Sequence, residues 1–371
     1  MNPASYDFTP LAQLLLVAAC IAIGAVLWLW SRQRRRTPRE WLAALTLLTL
    51  FLTFDLVIFG AFTRLSDSGL GCPDWPGCYG HTSPVGASAS IETAQTAMPT
   101  GPVTHGKAWV EMVHRYLAGG VGALCALLCA LSWRWRRIGI SPWWASLSLA
   151  WVVVQGAFGA LTVTMKLFPA IVTLHLLFAL MLVVQLAWQA EAYAPRPLKL
   201  AAASGLRRAA WAVFVLAVVQ VLLGGWVSTN YAVLACNDFP ACQVGTWWPP
   251  ADFAHGFTLW RALGGDGAGG LLGFAALVAI HLVHRCGALV VAIAVLGLCV
   301  ALGRAGAGAW ALRLLAVLAW QIASGVSTVL LGWPLVTALA HTAGAAVLLL
   351  LLTQLLARLG AGAHAAPDLL S

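Results

Sequence analysis

The sequence predicts an all-α membrane protein: nine transmembrane helices, arranged as two pseudo-symmetric four-helix bundles plus one extra N-terminal helix. Three observations carry this reading: the composition, nine long apolar runs and an internal repeat. The 371-residue chain is 61% hydrophobic and only 9% charged, whereas soluble domains carry about 25% charged residues.

The apolar runs are 11–30, 41–62, 109–133, 143–163, 168–188, 209–227, 271–300, 309–331 and 335–356. Each is long enough to cross a hydrocarbon core of about 30 Å. The first is too long and apolar for a signal peptide, and no small-residue cleavage site follows it. Arg32, Arg34, Arg35, Arg36 and Arg39 come next, and Arg134, Arg136 and Arg137 follow the third run. Arg196, Lys199, Arg207 and Arg208 separate the fifth and sixth, Arg304 and Arg313 flank a later turn, and Arg358 ends the last run. The opposite side has Arg64, Lys107, Lys166 and Arg261. Basic residues collect on the cytoplasmic side, so the N-terminus is expected outside (periplasmic) and the C-terminus inside. The net charge of +9 reflects that bias. It includes no aromatic-interleaved basic patch of the kind that binds nucleic acid.

The chain repeats itself. Cys72 and Cys78 match Cys236 and Cys242, 164 residues on. Val113-His114-Arg115 matches Val283-His284-Arg285, and Gln155, Gly159 and His175 match Gln321, Gly325 and His341. Spans two to five and six to nine are therefore two units of one plan, related by an axis along the membrane normal. The expected organisation is an extra helix and basic inner loop over 1–40, a first bundle over 41–200 and a second over 201–371.

Four histidines, His114, His175, His284 and His341, lie just inside the outer ends of four spans. An imidazole in hydrocarbon is costly without a partner. One alone would more often bond a neighbouring helix, but four in repeat-related places read as two pairs of axial haem ligands. Arg115 and Arg285, each next to a ligand, suit a haem propionate or snorkel to the interface; Arg64, Lys166 and Arg261 are weaker candidates for the same role. Glu111 shares a helix face with His114, and its repeat counterpart is His281. One site thus has a carboxylate that the other lacks, a candidate proton acceptor near neutrality; the plainer alternative is pairing with Arg115 or Lys107. His281 could replace His284 as ligand, but the repeat favours His284. Asp55, the other acidic residue within the spans, reads as a polar contact between helices. His81, His105, His255 and His364 fall in loops or the tail and read as solvated.

The long segments 64–108 and 228–270 both fall outside, where an oxidising compartment allows the disulfides Cys72–Cys78 and Cys236–Cys242. The spacing leaves open whether the first pair is a structural staple or redox-active. Cys20, Cys125, Cys129, Cys286 and Cys299 lie in spans and read as packing residues.

At these residues the chain resembles the haem A synthase family, over about 41–358. The signatures are Thr63-Arg64-Leu65-Ser66-Asp67-Ser68-Gly69-Leu70-Gly71-Cys72-Pro73-Asp74-Trp75-Pro76-Gly77-Cys78, Glu111-Met112-Val113-His114-Arg115, and Cys236 to Cys242 leading into Asp252-Phe253-Ala254-His255-Gly256. The resemblance implies a haem b cofactor held by His284 and His341. It also implies a haem o substrate taken up at His114, His175 and Glu111, with a ring methyl oxidised stepwise to the formyl group of haem a in the bacterial cytoplasmic membrane. Candidate partners are haem O synthase, terminal oxidase assembly factors and further copies of the chain. The extra span 11–30 and an Ala/Ser/Thr-rich outer loop around 82–105 depart from the simplest family pattern. The rival reading is a di-haem electron-transfer protein of the cytochrome b kind, without haem-modifying chemistry. A thiol oxidase would leave the histidines unexplained, and nothing suggests a transporter's midplane site.

Overall fold

A computed structural model describes residues 9–32, 37–200 and 203–364. Arg34, Arg35 and Arg36 lie outside these residues, as does the side chain of His364. The helices are α1 (Thr9–Arg32), α2 (Pro38–Leu65), α3 (Ser88–Ala97), α4 (His105–Arg134), α5 (Trp143–Thr164), α6 (Pro169–Tyr193), α7 (Ala203–Thr229), α8 (Phe253–Gly256), α9 (Phe274–Arg304), α10 (Gly308–Leu330) and α11 (Leu335–His364). All but α3 and α8 are long and apolar enough to cross a membrane, so the described residues contain nine candidate spans, one for each apolar run. The protein is a multi-pass membrane protein.

Local chemistry sets the helix ends. Thr37 opens α2 with a capping box: its hydroxyl accepts the Glu40 N–H, Glu40 Oε2 accepts the Thr37 N–H at 2.9 Å, and Pro38 fills the first turn. Thr104 caps α4 by accepting the Lys107 N–H at 3.2 Å. The turns carry the repeat as clearly as the helices do. Lys166 and Leu167 take φ of 51° and 57° between α5 and α6, and Gly332 and Trp333 take 71° and 65° between α10 and α11. Asp67 and Tyr231, at φ 50° and 55°, likewise end α2 and α7.

Backbone contacts group the chain into two units, 1–167 and 168–371. In the first, α4 is central and packs against α1, α2, α3 and α5. Gly119 and Gly120 of α4 face Ala18 and Ile21 of α1, so small residues let this extra span seat closely. In the second unit α7 packs on α9, α9 on α10, α10 on α11 and α11 back on α7, closing a ring. Helix α6 packs on α7 and α11. That packing sets the contact boundary near 167, ahead of the repeat boundary near 200.

The loop around 82–105 holds a helix that its composition hides. Ile91 of α3 is fully buried against Cys72, Cys78, Ala87, Ala108 and Met112, with Leu14 of α1 packed on the same cluster. Thr82 donates its hydroxyl to Gln13 of α1. Asp55 does not make the expected helix–helix contact: it is exposed, on the same face of α2 as Leu47 and Phe51.

Candidate functional site

The second unit brings His284 of α9 and His341 of α11 together, with ring centroids 6.5 Å apart and planes at 81°. Metal–imidazole bonds of about 2.0–2.1 Å place two opposed axial rings roughly 6.3 Å centre to centre, so the pair fits a single iron between the rings. Ser324 fixes the orientation of one ring. Its hydroxyl donates to the Trp320 carbonyl at 2.7 Å, so its oxygen accepts from His341 Nδ1 at 3.1 Å. The lone pair of His341 is then left on Nε2, the arrangement a ligating histidine needs. Gln321 donates to the His341 carbonyl at 3.1 Å, and Gln220 to the His284 carbonyl at 2.9 Å with its amide 2.9 Å from Nδ1. Both glutamine Oε1 atoms are buried without a hydrogen-bond partner.

Glycines back the rings. A Cβ on Gly224 would sit 3.0 Å from His284 Cε1, and one on Gly325 would sit 3.0 Å from His341 Cε1. In the first unit Gly60 stands in the same relation to His114, 3.0 Å from Nε2, and Phe59 stacks on that ring at 6.2 Å. Gly60 and Gly224 are 164 residues apart, a repeat relation carried by single glycines with no surrounding motif. His175 lies on α6, grouped with the second unit.

The largest structural surprise concerns Glu111 and the two arginines. Glu111 is 4% exposed. Its Oε2 accepts the Cys72 N–H at 2.8 Å and its Oε1 accepts from Arg115 Nη2. The other Arg115 nitrogen, Nη1, donates to the carbonyls of Asp74 (3.0 Å), Pro76 (3.2 Å) and Gly77. Lys107, the alternative partner of Glu111, donates to the Gly101 carbonyl at 3.1 Å. The second unit repeats the pattern. His281 Nδ1 faces the Cys236 N–H at 3.3 Å, and Arg285 Nε reaches His281 Nε2 at 3.3 Å. Arg285 also donates to the carbonyls of Cys236 (3.0 Å), Asp238 (2.8 Å) and Ala241 (2.9 Å). Both arginines therefore grip a disulfide loop. His281 is buried beneath its loop.

Both disulfides form, Cys72–Cys78 and Cys236–Cys242. Each loop has a cis proline, at Trp75–Pro76 and Phe239–Pro240. The first loop lies directly on α4: a Cβ on Gly71 would overlap the backbone of Lys107 and Ala108, so this position needs glycine. Arg64 pairs with Asp67 at 3.4 Å near the C-terminal end of α2. Arg261 is 3% exposed, donates to Asn230 Oδ1 at 2.6 Å and lies 5.4 Å above the Trp226 ring; burial lowers its pKa. His255 is exposed, as expected, with Nδ1 2.6 Å from Asp252 Oδ2. Asp252 caps α8, and its carboxyl pKa lies below the ordinary range, chiefly because it accepts the His255 N–H.

A duplicated multi-pass helical membrane protein is thus defined, with facing histidines in one unit and disulfide-closed loops gripped by buried arginines in both. The chain belongs to the cytochrome oxidase assembly protein family COX15-CtaA, whose model matches residues 43–353; α1 lies outside that match. A protein of Shewanella oneidensis named haem A synthase is 37% identical over 312 residues, 83% of this chain and 93% of the relative. Haem A synthases of Halalkalibacterium halodurans and Bacillus mycoides are 30% and 27% identical, over 51% and 55% of this chain and 60% and 61% of theirs.

Proposed function

We propose that this protein is a haem A synthase, an oxidoreductase that converts a methyl group of haem o to the formyl group of haem a for terminal oxidases. The observation that carries the assignment of roles is the difference between two otherwise matching sites: a carboxylate, Glu111, in one half and an imidazole, His281, in the other. The names of the relatives support the activity.

In this reading His284 and His341 hold haem b, which supplies a reversible one-electron carrier. Ser324 keeps the His341 proton on Nδ1, which leaves Nε2 of that ring free to hold an iron, and Gln220 holds the His284 ring through contacts at Nδ1 and at the main-chain carbonyl. His114 and His175 hold the iron of the substrate haem o in the half over 41–200, by repeat equivalence with His284 and His341 in the half over 201–371. Two successive two-electron oxidations, each taking an oxygen atom from water and releasing two protons and two electrons, would turn the methyl into an alcohol and then a geminal diol, and the diol loses water to give the formyl group. Each oxidation releases protons, and Glu111 accepts them beside the substrate. A haem b held by His284 and His341 would supply the one-electron carrier that takes up these electrons. Arg115 and Arg285 direct their donors to loop carbonyls, so Arg64, which also pairs with Asp67, and Lys166 are the propionate contacts of this reading. The protein lies in the bacterial cytoplasmic membrane, N-terminus and disulfide loops periplasmic and C-terminus cytoplasmic, and takes haem o from a haem O synthase.

Glu111→Gln tests the assignment. The expected result is loss of haem a with the haem b spectrum intact. Loss of both together overturns the division of roles.

A further inference from the structure

We propose that Arg115 is the positioning residue for Glu111, and that it acts by locking the carboxylate to the Cys72–Cys78 loop. The inference deepens the proposed function and rests on it.

Three features point to this role. Glu111 is held at both oxygens, by the Cys72 N–H on one and by Arg115 on the other, so its carboxylate has a single orientation. Arg115 is at the same time tied to three carbonyls of the loop that supplies the Cys72 N–H. Helix α4, the loop and the carboxylate therefore form one closed unit, and no member can shift alone. The second half then shows what this donor set is built for. The Cys236 N–H and the Arg285 Nε–H converge on the two nitrogens of His281. A neutral imidazole has one acceptor nitrogen, whereas a carboxylate accepts at both oxygens. The pair of donors is matched to an acid, and only the first half has one. Arg115 thus does for Glu111 what a bidentate clamp does for a reacting group: it removes the freedom to point elsewhere. A lysine keeps the charge but has no rigid fork to serve the carboxylate and the loop together.

The test compares the full-length parent with Arg115→Lys, Glu111→Asp, their double variant and Glu111→Gln. It reads haem b content, haem o binding without turnover, and kcat and KM for haem a formation. Arg115→Lys is expected to lower kcat at least about tenfold with KM, haem o binding and haem b unchanged. Glu111→Asp keeps the acid and the arginine but draws the carboxylate back by a methylene, and should lower kcat similarly. If the two residues act as one unit, the double variant falls no more than about threefold below the weaker single variant. Reduction of Cys72–Cys78 by a water-soluble phosphine should also be faster in Arg115→Lys than in the parent. Parental kcat in Arg115→Lys, or multiplicative losses in the double variant, overturn the proposal. Should Arg115→Lys fail to accumulate with haem b, Glu111→Asp decides alone, and parental kcat there overturns it. Undiminished kcat in Glu111→Gln would instead refute the catalytic reading of Glu111 and remove the proposal with it.

Discussion

Gly224→Ala and Gly325→Ala each place one methyl group behind a ring proposed to hold haem b, and the consequence can be worked out from distances. The new Cβ would lie 3.0 Å from His284 Cε1 or His341 Cε1. Unstrained carbon–carbon contacts lie at about 3.5–4.0 Å, so each ring must move by roughly 0.5 Å. The His284 ring is braced, with Gln220 Nε2 2.9 Å from Nδ1 and His341 on its far side. Ligand distances tolerate about ±0.2 Å, so the shift exceeds what an iron–imidazole bond absorbs. Overpacking of this kind costs about 1–3 kcal/mol, which corresponds to a roughly 5- to 150-fold loss of haem b affinity. The assay is the haem b to protein ratio after purification, together with the low-spin bis-imidazole spectrum. Either variant retaining full haem b with an unchanged spectrum would refute the assignment of these glycines as ring supports.

Three further outcomes follow from named contacts. Ser324→Ala removes the acceptor of the His341 Nδ1 proton and should weaken haem b retention about 10- to 100-fold, read by competition with apomyoglobin; unchanged retention contradicts the tautomer assignment. Asp252 has a folded-state pKa below its unfolded value, so its contribution to stability is present above the ordinary carboxylate range and is lost as pH falls through the folded value. Asp252→Asn should therefore lower Tm at neutral pH and flatten its acid limb; a parallel pH–Tm curve would count against it. Arg358→Leu leaves Glu191 without its partner at 2.6 Å, where the side chains are 17% and 11% exposed. The loss should lie toward the lower end of roughly 3–5 kcal/mol, seen as a drop in Tm that Glu191→Gln in the same chain largely restores.

The spans, the duplication and the placement of the four histidines on four of the spans were legible because each leaves a periodic or repeated trace. A run of apolar residues marks a span whatever packs against it, and an offset near 166 identifies His175 with His341 without any contact. The cysteine pairs were legible because six residues separate each pair. What escaped were contacts between distant segments. Arg115 bonds carbonyls 38 to 41 residues away, and main-chain carbonyls have no sequence signature, so the arginines read as propionate contacts. Helix α3 escaped because Ser88–Ala97 is polar and short, and its place depends on one side chain, Ile91, reaching the disulfide cluster. The seat that Glu111 and His281 share was visible only as an alignment of unlike residues; hydrogen bonds to Cys72 and Cys236 make it a common site.

The central claim is that this chain makes haem a from haem o. The most direct measurement is extraction and chromatography of haem from membranes of cells that supply haem o, with and without this protein. The account predicts haem a above the control in the parent chain and only haem o and haem b in Glu111→Gln. A parent chain that yields haem b alone, with haem o present and a bis-imidazole spectrum intact, would contradict it and identify an electron-transfer cytochrome instead.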